Sequence, residues 1–141
     1  MRQKGLRILI IEDTPARQEA LTRLCREHAW VLVHTAARAM TLLSAYRFDL
    51  IFLDYDLAGP EKGEAVAAFI PQSPNREARV IVHAMNANGA AKIRAILPEA
   101  EIVPFSNIVR NNATVKRFKE ALRQGADIDW AFVFWGEQTL A

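Results

Sequence analysis

The sequence predicts an α/β domain: a parallel five-stranded sheet covered by helices on both faces, built from five strand–helix units. Three observations predict it. Short apolar runs recur, clearest at residues 6–11, 50–53 and 80–84, and each is too short for a helix. Between them lie stretches with apolar residues at helical spacing, opened by capping residues and closed by proline or glycine. Two of the runs end on acids, Glu12-Asp13 and Asp54, at what would be the carboxyl edge of the sheet, where open α/β sheets bind ligands.

The first run is interrupted only by Arg7. Thr14-Pro15 then supplies a helix start, with Thr14 or Asp13 as N-cap and Pro15 at the first helical position, where its missing N–H costs nothing. Ala20, Leu21, Leu24, Cys25 and His28 form that helix's apolar stripe. Residues 30–33 make a short strand, and Thr35 caps a helix that turns Ala36, Ala39, Met40, Leu43 and Tyr46 inward. The central run, 50–53, is apolar at every position, the pattern of a strand buried on both faces. Gly59, Pro60 and Gly63 mark a loop; Val66, Phe69 and Ile70 give the third helix a buried edge, and residues 71–75 break it. The fourth run carries His83 near its end. Residues 85–89 read as loop, with Asn88 capping a helix that carries Ile93, Ile96 and Leu97. Residues 101–105 form a last strand closed by Pro104. Asn111 or Asn112 caps a final helix bearing Val115, Phe118 and Leu122, which Gly125 ends.

Alternation of this kind implies right-handed crossovers and the flavodoxin-like strand order 2-1-3-4-5. That order sets the ends of the first and third strands side by side, so Glu12, Asp13 and Asp54 should converge. Residues 1–125 make up this domain, and 126–141 are a tail expected to pack on it or on a partner. The segment 127–135 is apolar and aromatic, open to reading as an edge strand, a packing arm or a homodimer contact.

Composition bounds the partners. A chain of 141 residues, 51% hydrophobic and 24% charged, is that of an ordinary globular domain. A net charge of +2 with dispersed basic residues gives no case for nucleic acid, and the densest group, Lys116, Arg117, Lys119 and Arg123, reads as a solvated helix face. The single Cys25 allows neither an internal disulfide nor a cysteine-built zinc site. Nothing resembles a signal peptide, and no apolar stretch approaches the ~20 residues of a membrane span. The expectation is a cytoplasmic protein with no membrane partner.

One acid, Asp54, taken alone reads equally as a cap for the next helix. Three converging carboxylates are another matter, because they repel and raise at least one pKa. A divalent cation removes the conflict, and all-oxygen ligands favour magnesium. Asp54 could then attack phosphorus as a nucleophile or serve only as a metal ligand.

Residues 6–124 resemble the receiver domains of bacterial response regulators. Ile8-Leu9-Ile10-Ile11-Glu12-Asp13 is similar to that family's first strand and acidic pair, and Phe48-Asp49-Leu50-Ile51-Phe52-Leu53-Asp54 to its third strand, which ends in the phospho-accepting aspartate. The resemblance implies magnesium held by Glu12, Asp13 and Asp54 with the backbone carbonyl of Asp56. Two positions depart from the family. Ala84 stands where receivers carry Ser or Thr, and Val103 stands where they carry a Lys before Pro-Phe. Neither side chain can offer a phosphoryl oxygen a hydroxyl or a positive charge. The loop from Asp54 to Gly63 is also about one residue longer than the usual pattern.

Leu53-Asp54-Tyr55-Asp56-Leu57 and the stretch from His83 to Ala90 resemble a divergent branch, the cyclic-phosphate-processing receivers, with motifs L-D-H-D-L and H-S-x-N-x-x-G-A. Asp54, Asp56, His83, Asn86 and Gly89 match, while Tyr55 and Ala84 replace His and Ser. This resemblance implies Asp54 and His83 as catalytic residues and Asn86 with position 84, here Ala84, as the phosphate-binding pair. It adds Asp56 to Glu12, Asp13 and Asp54 as metal ligands. A histidine is suited to general acid or base work, its reference pKa of ~6.5 lying near working pH. The competing readings are a structural histidine bonded to a backbone carbonyl, and plain turn chemistry for Asn86 and Asn88. Three functions follow: a metal-dependent phosphoesterase or binder of (cyclic) phosphate, a receiver phosphorylated on Asp54 by a phospho-donor protein, and a non-catalytic pseudo-receiver acting by protein contact.

Overall fold

A computed structural model describes residues 5–136. Five parallel strands, β1 (Arg7–Ile11), β2 (Ala29–Val33), β3 (Leu50–Leu53), β4 (Arg79–Val82) and β5 (Glu101–Ile102), form one sheet in the order β2-β1-β3-β4-β5. The connecting helices are α1 (Pro15–Leu24), α2 (Ala36–Ala45), α3 (Gly63–Phe69) and α4 (Ala87–Ile96), followed by the short α5 (Phe105–Ile108), then α6 (Asn112–Gln124) and α7 (Trp130–Trp135). This is a flavodoxin-like fold, with the strand order the alternation implies.

Strand alternation divides the core in two. Leu9, Ile11, Ile51, Leu53 and Val82 point to one face, where Ala39, Leu43, Val66, Ala67 and Ile93 of α2, α3 and α4 cover them. Ile8, Ile10, Leu50, Phe52 and Ile81 point to the other, against Leu21 and Leu24 of α1 and Phe118 and Leu122 of α6. Asn75, in the stretch expected only to break the third helix, is buried. It accepts from the Phe48 N–H at 2.7 Å and donates to the Leu43 and Tyr46 carbonyls, tying the end of α2 to the start of β3.

Several sequence expectations need correction. Asn86, not Asn88, caps α4: its side chain accepts from the Gly89 N–H at 2.9 Å, and the helix has begun by Ala87. The last strand is two residues long, because Pro104 sits as the N-cap of the helical turn Phe105–Ile108 instead of closing a strand. Of the readings left open for the aromatic tail, the described residues adopt the packing arm and not the edge strand. Residues Trp130–Trp135 form a helix, capped by Asp129, that lies on α6 with Val133 fully buried. Trp130 meets Phe118 edge-on at 5.7 Å and stacks on Phe134 at 5.8 Å. Arg117, expected on a solvated face, donates through Nε to the Val133 carbonyl at 2.7 Å, and Arg110 donates to that of Phe134. Residues 137–141 of the tail lie outside the described residues.

Candidate functional site

The register of the sheet builds the site. Ile11 pairs with Leu53, and Leu53 pairs with Val82. The ladder then runs one residue further: Asp54 N–H donates to the Ile11 carbonyl at 3.1 Å, and His83 N–H donates to that of Leu53 at 3.2 Å. Glu12, Asp54 and His83 therefore stand in one row at the carboxyl edge, on the same face as Ile10, Phe52 and Ile81. One ligand atom from each lies within 4.8 Å of the other two, so the trio could hold a metal ion. All three side chains are buried.

Their hydrogen bonds are unequal. Both Glu12 oxygens are bonded: Oε1 accepts from His83 Nε2 at 2.8 Å and Oε2 from the Thr14 N–H at 2.9 Å. Burial works against its charge, but these bonds and the nearby Arg17 guanidinium outweigh it and hold the carboxyl below its ordinary value. Asp54 spends Oδ1 on the Tyr55 N–H at 2.8 Å, while its buried Oδ2 has no hydrogen bond. Burial first, then the Glu12 charge, push the Asp54 carboxyl up to about 7. His83 Nδ1 is likewise buried without a hydrogen-bond partner.

Arg17 completes the pocket and was not singled out in the sequence. Its guanidinium lies 3.6 Å from Asp54 Oδ2, 3.9 Å from Glu12 Oε1 and 5.9 Å from the centre of the Phe105 ring. The signal was there: a helix side chain leans toward the N-terminus, so an arginine in the first turn after an acidic strand end reaches back over that end.

The other expected site residues lie around this trio. Asp13 is half-buried and stands outside the three-donor group, its Oδ1 taking only a long 3.5 Å bond from the Thr14 hydroxyl. Asp56 is exposed and accepts from Asn86 Nδ2 at 3.4 Å, while Asn86 Oδ1 is spent capping α4. Ala84 is buried in the core on the opposite face of the sheet, among the residues that pack with Val82, and Val103 is buried beside α6. Tyr55 closes one side of the rim: its ring lies against Gly89, its hydroxyl donates to Glu64 Oε1 at 3.2 Å, and Lys92 Nζ sits 5.6 Å from the ring centre.

A divalent cation fits the chemistry of the trio. Asp54 Oδ2 is a buried carboxylate oxygen with no hydrogen bond, facing a second buried carboxylate, and both are hard oxygen donors. An imidazole nitrogen would suit zinc better than magnesium, but His83 Nε2 is spent on Glu12 Oε1, which leaves the two carboxylates as the hard ligands.

The sheet order, the acidic row at its carboxyl edge and the helices on both faces define a receiver domain. Residues 7–99 match the family model of the cyclic-phosphate processing receiver domain, and the chain belongs to that family. A response regulator of Thermotoga maritima, TrrA, solved with Mg(2+)-BeF, superposes with a TM-score of 0.61 at 22% identity, over 82% of this chain and 99% of that one. A CheY-like receiver domain from Methylobacillus flagellatus superposes with a TM-score of 0.60 at 16% identity, over 76% and 95%. Both likenesses are of fold. A protein-glutamate methylesterase/protein-glutamine glutaminase of Myxococcus xanthus is 35% identical over 78 residues, 52% of this chain and 22% of its own length. The chain thus spans under a quarter of that curated relative. Among the described residues no helix is long and apolar enough to cross a membrane.

Proposed function

We propose that this domain is a divalent-cation-dependent phosphate-processing receiver, with magnesium as its cation and cyclic phosphodiesters as its substrate class. The observation that carries the reading is Asp54 Oδ2, a buried carboxylate oxygen without a hydrogen bond beside a second buried acid. Arg17 at 3.6 Å offsets part of this charge but gives Oδ2 no hydrogen bond; two buried acids side by side remain costly, and a bound cation meets that cost. When bound, the ion neutralises charge on the non-bridging phosphate oxygens. Asp54 and Glu12 hold it, with the half-buried Asp13 beside them. His83 is buried with Nε2 on Glu12 Oε1, so it acts through Glu12, keeping that carboxylate ionised and aimed. Tyr55, Asn86 and Asp56 shape the rim against which the ligand rests.

Opening a cyclic phosphodiester adds water across one P–O ester bond. The water oxygen joins phosphorus, and its proton ends on the released alkoxide oxygen, leaving a monoester. The test is a panel of 2′,3′- and 3′,5′-cyclic nucleotides incubated with Mg2+ or Mn2+ and followed by phosphorus NMR. Monoester is expected with metal and is lost with EDTA and in Asp54→Asn. An intact panel would end the hydrolytic reading.

A second reading, phosphorylation of Asp54 by a phospho-donor protein, draws on the same free oxygen, since Oδ2 is where an acyl phosphate would form. Acetyl phosphate with magnesium distinguishes it: a phosphoryl mass increase absent in Asp54→Asn supports a phospho-acceptor.

A further inference from the structure

We infer that Arg17 is the anion-binding residue of this pocket, the group that takes the non-bridging oxygens of the phosphate ligand. The inference rests on the phosphate-processing reading above and names the side chain that recognises the anion. Arg17 lies in the first turn of α1, the helix that covers the face carrying Glu12, Asp54 and His83. Its side chain is 29% exposed, so it touches both the acidic row and solvent.

The position is one of attraction without commitment. The nearest guanidinium nitrogen is 3.6 Å from Asp54 Oδ2 and 3.9 Å from Glu12 Oε1, ion-pair distances beyond hydrogen-bond reach. A guanidinium carries five N–H donors in a fixed fork that matches two phosphate oxygens at once. The Phe105 ring beside it, 5.9 Å to its centre, steadies the fork. The neighbouring lysines are already occupied: Lys62 Nζ donates to the Leu57 carbonyl at 2.9 Å, and Lys92 Nζ rests on Tyr55. Ala84 and Val103 have no donor to give and are buried in the core. Among the described residues, Arg17 is the cation that pairs with Asp54.

This placement has a consequence that a purely structural arginine would not share. The same positive charge that draws a phosphate oxygen toward Asp54 repels a divalent cation from it. Removing the charge should move the two affinities in opposite directions, whereas a general loosening of the pocket would weaken both.

The test uses the full chain and two probes, orthophosphate and Mn2+, on wild type, Arg17→Gln and Arg17→Lys, each checked for an unchanged thermal unfolding midpoint. Orthophosphate is titrated calorimetrically with and without Mn2+, and free Mn2+ is followed by electron paramagnetic resonance. Arg17→Gln should weaken orthophosphate about tenfold, as the loss of one charge-assisted contact does. It should also tighten Mn2+, and Arg17→Lys should fall between. Equal orthophosphate affinity in wild type and Arg17→Gln, no orthophosphate binding by wild type, or weaker Mn2+ binding in Arg17→Gln overturns the assignment. Wild type that binds orthophosphate through Arg17 but never Mn2+ would uphold Arg17 and sink the cation reading instead.

Discussion

Glu12 and Asp54 are buried neighbours of the same chemistry whose carboxyls shift in opposite directions, Asp54 up by burial and the Glu12 charge, Glu12 down by its bonds. Glu12 has an imidazole and a backbone N–H and stays ionised; Asp54 has one N–H and an oxygen with nothing to accept from. The pH dependence follows from Asp54. Its carboxyl is raised from an ordinary 3.8 to about 7, so in the metal-free protein the folded state keeps a proton that the unfolded chain has already released. The folded state is thus favoured at low pH, and this contribution is lost as pH rises from about 4 to about 7. Asp54→Asn carries no charge to bury. In EDTA, urea unfolding should show the variant more stable than wild type at pH 8, by at most about 4 kcal/mol, with the gain shrinking toward pH 4.5. A gain that does not vary with pH would mean that Asp54 is ionised in the fold throughout. At this scale the sequence displayed the acids and His83 but not their partners. Alternation allowed either His83 or Ala84 to face the pocket, and only the register of β3 with β4 puts His83 in the row and Ala84 in the core.

Individual elements owe their placement to a few residues that the pattern hides. Gly63 opens α3 directly against the backbone that carries Asp54: a Cβ there would run into the Asp54 carbonyl oxygen and crowd Tyr55 Cα at 2.9 Å. Its N–H donates to the Tyr55 carbonyl at 2.7 Å, which closes the loop behind the site. Backbone cannot yield as a side-chain tip can, so Gly63→Ala should cost about 1–3 kcal/mol in denaturant unfolding and displace Asp54. Unchanged stability would show the loop to be freer than this packing implies. In the sequence Gly63 was visible only as loop punctuation, because the contact that demands glycine lies across the turn. The cap of α4 was open in a different way. Two asparagines stand two residues apart, and the choice depends on which reaches the N–H three positions on; Asn86 reaches Gly89. The helices themselves were legible because their apolar spacing is long and regular. The last strand was not, since Pro104 serves a helical turn as well as it ends a strand.

At the level of the whole molecule, two cores back a single sheet, and the second extends past the fifth strand–helix unit into α7. Periodicity marked residues 127–135 as apolar without saying what they cover, because the aromatic run fits strand and helix alike. What they cover is Phe118 of α6, with Arg110 and Arg117 fastening the carbonyl end of the helix. Val133, fully buried there, should cost about 1–3 kcal/mol when cut to alanine if α7 unfolds with the domain; a negligible change in the urea midpoint would make it an independent appendage. The strand order was legible from alternation alone, and that order makes a row of three distant residues possible. The central claim is that this row, through Asp54, takes a divalent cation. Adding substoichiometric Mn2+ to isotope-labelled protein and recording amide spectra tests it most directly. Signals of Glu12, Asp13 and Tyr55 should broaden first in wild type and persist in Asp54→Asn, whereas broadening centred elsewhere, or identical in the two proteins, would contradict it.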